Sequence, residues 1–138
     1  MKKILFICIG NSCRSQMAEA LCRALYPDNI EPYSGGIAPE PIRQETLHIL
    51  QKYPQINTDI LYSKSLMTFS EYEFDIVITL CDYAHDNLPF IPKAALYIHR
   101  HIHDPANAIV QKEEMYERAA HAIEVLIHEI QNSLTESK

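Results

Sequence analysis

The segment 3–25 constrains the fold more than any other stretch of the chain. Residues 3–8 form a near-continuous apolar run, as expected for a short parallel strand buried on both faces. The run breaks at the polar, glycine-containing stretch 9–13. From Arg14 the apolar residues recur at helical spacing, with Met17, Ala20/Leu21 and Ala24/Leu25 on one face and Pro27 marking the end. A buried strand, a tight loop and a helix in immediate succession form the opening unit of a βαβ fold.

The alternation continues downstream. Residues 31–34 read as a second strand closed by Gly35-Gly36, and residues 41–53 as a helix with Ile42, Thr46, Ile49, Leu50 and Tyr53 inward. Residues 74–80 read as a buried strand and 94–98 as a weaker one. Met115, Ala119, Ile123, Leu126 and Ile130 stripe a final helix. The expected fold is a single α/β domain over residues 1–138, a four-stranded parallel sheet with helices on both faces. A chain of 138 residues with 47% hydrophobic content can bury one core, and no linker, repeat or low-complexity run divides it. A net charge of -6 without a basic run argues against nucleic acid or an anionic membrane as partner. The Met1-Lys2-Lys3 start imitates a signal peptide, but its apolar run stops at Gly10-Asn11-Ser12. The expected address is the cytoplasm, where the four cysteines stay reduced and serve either as buried fillers or as chemistry.

Ligands of such folds bind at the carboxyl ends of strands, and both Cys8 and Cys81 fall at that end of their strands. The segment Cys8-Ile9-Gly10-Asn11-Ser12-Cys13-Arg14-Ser15 places a thiol, five residues and then a guanidinium between strand and helix. Gly10 permits a tight bend, the loop amides form an anion nest, and the helix N-terminus adds its positive end. Arg14 can grip two oxygens in a fork that lysine cannot imitate. The same field suits a thiolate nucleophile at Cys8, with Ser15 donating a hydrogen bond to the sulfur. The expected occupant is a tetrahedral oxyanion, either phosphate or its arsenic analogue. The plainer alternative is a strand-ending buried cysteine beside a capping turn.

The stretch from Cys8 to Glu19, C-I-G-N-S-C-R-S-Q-M-A-E, resembles the low-molecular-weight protein tyrosine phosphatase superfamily, and its wording is most similar to the arsenate reductases built on that fold. Ser34-Gly35-Gly36-Ile37 and Ser63-Lys64-Ser65 fall where that family has similar segments. The resemblance implies that Asp104, presented in an extended conformation by Pro105, acts as a general acid. It also implies that Cys81, in Thr79-Leu80-Cys81-Asp82, is a second redox thiol that attacks the first after arsenate has formed an adduct on Cys8. Thioredoxin-coupled members then use a third cysteine seven positions later, where this chain has Leu88. Either thioredoxin, glutaredoxin or a low-molecular-weight thiol such as glutathione or mycothiol resolves the Cys8–Cys81 pair, or Cys81 is a relic in a phosphatase acting on phosphomonoesters.

Beyond that external reductant, no cofactor is implied and no metal is expected. Cys13 is a candidate for a protective disulfide with Cys8, and Cys22 reads as packing. His99, His101 and His103 alternate as they would on one face of a strand, and read as a surface cluster rather than a metal site. Tyr33 and Tyr83 are candidates to wall the pocket. Asn11, Glu19 and Ser34 match positions that hold potassium in some relatives, but Ser65 stands where those have a further carboxylate. Asn11 is expected instead to tie the loop together.

Overall fold

The apolar run at the N-terminus becomes a strand with no solvent face. In the computed structural model, which describes residues 1–136, Ile4, Leu5, Phe6 and Ile7 are all fully buried within β1 (Lys2–Cys8). It pairs in parallel with β2 (Ile30–Gly36) on one side and β3 (Glu73–Thr79) on the other. The fourth strand, β4 (Lys93–His99), pairs in parallel with β3, so the sheet order is β2-β1-β3-β4. The expected four-stranded parallel sheet is therefore present.

Alternate residues of β1 feed two different cores. Ile4 and Phe6 join Ile76 and Ile78 beneath three helices, α1 (Arg14–Leu25), α2 (Gln44–Leu50) and α4 (Lys112–Glu136). Leu5 and Ile7 join Val77 on the opposite face, under Leu66 and Phe69 of a 3-10 turn and Ala84 of the short helix α3 (Asp82–Asp86). The two faces are thus covered unequally. Among the described residues no helix is long and apolar enough to cross a membrane.

Two segments depart from the periodicity. The helix expected over 41–53 shortens to Gln44–Leu50: past Leu50 the Lys52 and Tyr53 amides turn to carbonyls three residues back, and the residues before it bond to the loop. Glu40 N–H donates to Gly10 O (2.9 Å) and Arg43 N–H to Ser12 O (3.1 Å). The strand expected to close at Ser34 runs on to Gly36, whose register partner is Cys8. β4 is the weak strand the sequence suggests: Leu96 and Tyr97 are each 51% exposed.

Cys22 lies on the inner face of α1, fully buried. Burial pushes its thiol from the ordinary 9.0 up to about 12, against the opposing pull of Arg23. The fold thus favours the neutral thiol. Its contribution to stability is complete below the unfolded-chain value and is lost as pH rises toward the folded one. We expect Cys22→Ala to flatten the fall in thermal unfolding midpoint between pH 9 and about 12. An unchanged alkaline slope would contradict this assignment.

Candidate active site

The loop between β1 and α1 is shaped from outside. Ile37 N–H donates to Cys8 O (3.3 Å), Ala38 N–H to Ile9 O (2.8 Å), Glu40 N–H to Gly10 O and Arg43 N–H to Ser12 O. Ser63 Oγ also donates to Gly10 O (3.2 Å), Gln16 Nε2 to Asn11 O (3.2 Å), and Thr46 Oγ1 to Ser12 O (3.1 Å). A trans peptide points its C=O and the next N–H in opposite directions. Carbonyls held on the flanks therefore turn the following amides toward the concave side. No side chain caps the first turn of α1, and that turn carries no acidic residue, so its positive end is left for an anion.

The concave side is a cavity of about 160 Å³ lined by Cys8, Ile9, Gly10, Ser12, Cys13, Arg14, Glu40, Arg43 and Asp104. It brings together the expected nucleophile, clamp and acid. A larger cavity of about 390 Å³, between α2 and α4, is lined by residues such as Glu45, His48, Glu113 and Tyr116 and contains no nucleophile.

A directed chain of hydrogen bonds ends on the sulfur. Asn11 adopts φ 50, a left-handed conformation that asparagine tolerates better than most residues. Its Nδ2 donates to Ser15 Oγ (2.7 Å), and Ser15 Oγ lies 2.8 Å from Cys8 Sγ. With one lone pair taken by Asn11, the Ser15 proton is free to point at the sulfur. The orientation of the Asn11 amide is fixed in turn, because its Oδ1 accepts from Lys64 N–H (2.8 Å) and Gln16 Nε2 (2.8 Å). Asn11 thus ties the loop together as expected.

Arg14 is 5% exposed, and its Nη1 donates to Ile102 O (2.9 Å). Its Nη2 stands 3.7 Å from Asp104 Oδ2. Asp104 Oδ1 accepts from Ala106 N–H (3.0 Å) and caps a 3-10 turn that begins at Pro105. The segment that carries Asp104 is therefore docked on the arginine of the loop.

Cys81 caps α3, its sulfur accepting weakly from Ala84 N–H (3.4 Å). Burial raises its thiol above the ordinary value, while the Ala84 amide and Arg14 oppose the rise. Charge on Cys8, Asp104 and Arg14 acts on both Cys81 and Cys13. Burial pushes Cys13 up to about 12. Leu88 packs against the same small core as Cys81. All four cysteines are free thiols.

Other expectations divide. β4 ends at His99, so the three histidines do not share one strand face. His99 Nε2 lies 2.7 Å from Asp82 Oδ1, and His101 Nδ1 accepts from Asp82 N–H (3.1 Å), beside Cys81. Among the described residues no group of three or more His, Cys, Asp or Glu is arranged to hold a metal. Tyr33 packs with Phe69, Tyr72 and Phe74. Tyr83 is 56% exposed. Neither lines the cavity, and its rim is Glu40 and Arg43, which sequence reasoning missed.

Glu19 and Ser34 do meet, with Ser34 Oγ donating to Glu19 Oε1 (2.7 Å). The residue that joins them is Lys64, whose Nζ reaches Glu19 Oε1 (3.3 Å), Ser34 Oγ (3.3 Å) and Tyr62 O (3.1 Å). Ser65 instead caps the 3-10 turn, accepting from Met67 N–H (3.1 Å). The ammonium holds the oxygens of Glu19 and Ser34, and Asn11 Oδ1 is taken by Lys64 N–H and Gln16, so these residues do not fit a metal ion.

Residues 3–138 match the sequence profile of the low molecular weight phosphotyrosine protein phosphatases. An "Arsenate reductase 2" of Staphylococcus haemolyticus is 35% identical over 108 residues, 76% of this chain and 79% of that protein. A solved arsenate reductase in a phosphate-binding state superposes with a TM-score of 0.74 and 27% identity, covering 94% of this chain and 99% of the other. A thioredoxin-dependent arsenate reductase of Corynebacterium glutamicum gives 0.69 and 27%, covering 96% of this chain and 63% of that one.

Gly36 is where the strand touches the loop. A Cβ there would lie 2.7 Å from Asn11 N, 2.8 Å from Ile9 O and 2.9 Å from Gly10 C, all backbone. Gly36→Ala should destabilise the protein by about 1–3 kcal/mol through overpacking. It should also remove most of the protection that inorganic phosphate gives against thermal unfolding. Undiminished phosphate protection would show that the loop does not depend on this contact.

Proposed function

The chain belongs to the low molecular weight phosphotyrosine protein phosphatase family, and within it we propose that this protein is a thiol-dependent arsenate reductase. One observation carries the reading: a second buried thiol, Cys81, lies two residues past the end of β3 on the sheet edge that also carries Cys8, where Leu80 N–H donates to Ile7 O (2.9 Å). A hydrolase has no use for such a thiol. The similarity to reductases of Staphylococcus and Corynebacterium supports the same conclusion.

In this reading the inward amides of the loop and Arg14 hold the oxygens of arsenate, with Ile9, Gly10, Asn11, Ser12 and Cys13 supplying the cradle. The Cys8 thiolate attacks arsenic, an S–As bond forms, and an As–O bond breaks. Asp104 protonates the departing hydroxide, which leaves as water. The Cys81 thiolate then attacks the Cys8 sulfur. The S–S bond forms as the S–As bond breaks, and that electron pair stays on arsenic. Pentavalent arsenic becomes trivalent and departs as arsenite, while two thiols become one disulfide. Ser15 directs its hydroxyl at Cys8 throughout.

Leu88 stands where a third cysteine would relay the disulfide outward, so an external reductant must reach the Cys8–Cys81 pair directly. Thioredoxin, glutaredoxin or a low-molecular-weight thiol each supplies the needed two electrons, in keeping with a reducing cytoplasm. The second reading is a phosphomonoesterase using Cys8, Arg14 and Asp104 without Cys81. The docking of Asp104 beside Arg14 suits it, but the cavity lining contains no aromatic residue to grip an aryl ester.

Arsenite release from arsenate, driven by glutathione with glutaredoxin or by thioredoxin, should fall to the uncatalysed background in Cys81→Ser. Any residual aryl phosphate hydrolysis should be unaffected. Reduction that persists without Cys81 would overturn the assignment. Asp104→Asn should slow hydrolysis of an aryl phosphate with a poor leaving group by about a hundredfold or more while phosphate binding survives. Unchanged hydrolysis would remove Asp104 from proton transfer.

A further inference from the structure

The Lys64 ammonium is enclosed by the loop's supporting shell, and its side chain is only 9% exposed. Its three oxygen partners come from three places: Glu19 on α1, Ser34 on β2 and the Tyr62 carbonyl of its own loop. The Tyr62 ring adds a fourth contact, with its centroid 4.6 Å from Nζ. Glu19 is itself 7% exposed, and its other oxygen meets Arg23 at 3.2 Å. A carboxylate so buried is costly unless a cation and hydrogen bonds compensate it.

The backbone of Lys64 continues the same linkage. Its N–H donates to Asn11 Oδ1 (2.8 Å), and its carbonyl accepts from Gly36 N–H (2.9 Å). Gln16 Nε2 meets the Tyr62 carbonyl as well (2.8 Å), so two donors converge on that oxygen. The path from ammonium to sulfur is continuous: Lys64 fixes the 62–64 turn, that turn fixes Asn11, Asn11 fixes Ser15, and Ser15 addresses Cys8.

We infer that the Lys64 ammonium is a resident monovalent cation of the oxyanion site. It is a positioning residue that holds Asn11 and Ser15 in place and makes the loop independent of potassium. The inference rests on the geometry of the loop and not on which oxyanion is turned over. Its test therefore reads phosphate affinity and Cys8 reactivity, and it stands or falls apart from the reductase assignment.

Inorganic phosphate affinity by calorimetry, and Cys8 alkylation by iodoacetamide mapped by mass spectrometry, would be compared in sodium, potassium, ammonium and tetramethylammonium chloride at equal ionic strength. The parent protein should behave alike in all four salts. Lys64→Ala opens a gap of cation size, so its phosphate affinity in tetramethylammonium should drop on the order of tenfold, as for other supporting-shell losses. Cys8 alkylation should slow with it, and potassium or ammonium should restore both. Lys64→Met keeps the stem but blocks the gap, and should stay impaired in every salt. If the alanine variant does not fold, the methionine variant carries the test: impairment in every salt supports the inference, and parental phosphate affinity overturns it. A parent that itself requires potassium, an alanine variant unimpaired in tetramethylammonium, or a loss that neither cation repairs would each overturn it too.

Discussion

The site depends on where the carbonyls of one short loop are held. An anion nest needs several consecutive amides facing one point, and a free chain has no reason to adopt that arrangement. Here the segment 37–43 runs alongside the loop and donates to the carbonyls of Cys8, Ile9, Gly10 and Ser12. Peptide planarity then turns the amides the other way. Gly36, with backbone atoms of the loop within 3 Å of where its Cβ would be, lets the strand approach closely enough for this. The concave shape of the loop is thus set by hydrogen bonds within the chain itself.

A second layer of polar groups makes that cradle specific. Asn11, Ser15, Gln16, Glu19, Ser34 and Lys64 form one connected network under the loop, most of it nine-tenths or more buried. Buried polar groups of this kind are expensive when unpaired and rigid when paired. Their value lies in geometry: they assign the Asn11 amide its orientation and aim the Ser15 hydroxyl at sulfur. Arg14 meets Ile102 and Asp104 on the other side, so the proposed acid and the proposed anion clamp are positioned together.

Much of this was legible in the sequence, and the exceptions share a cause. The apolar run at 3–8, the glycine loop and the helical stripe from Arg14 fix the first unit, since each is a local pattern. The place of Cys81 past the carboxyl end of a strand was legible because the run Ile76-Val77-Ile78 before it is apolar and buried. Asp104 was legible through Pro105 and the family resemblance. The helix expected to begin at Pro41 starts later, as the segment before it bonds to the distant loop through Glu40 and Arg43 N–H, a tertiary choice that periodicity does not carry. Ser63-Lys64-Ser65 stands out only by resemblance, and the contacts of Lys64 were illegible for the same reason: its carboxylate partner lies 45 residues away. The enclosure of Cys81 by Leu88 and Ala84 likewise depends on a five-residue helix too short to announce itself.

In the proposed reaction two thiols, Cys8 and Cys81, reduce one oxyanion. A single turnover without any external reductant tests it most directly. Fully reduced protein would be mixed with excess arsenate, released arsenite counted per chain, and disulfides mapped by mass spectrometry after acid quench. Stoichiometric arsenite and a Cys8–Cys81 disulfide are expected. No arsenite release, or arsenite accompanied only by a Cys8–Cys13 disulfide, would contradict it.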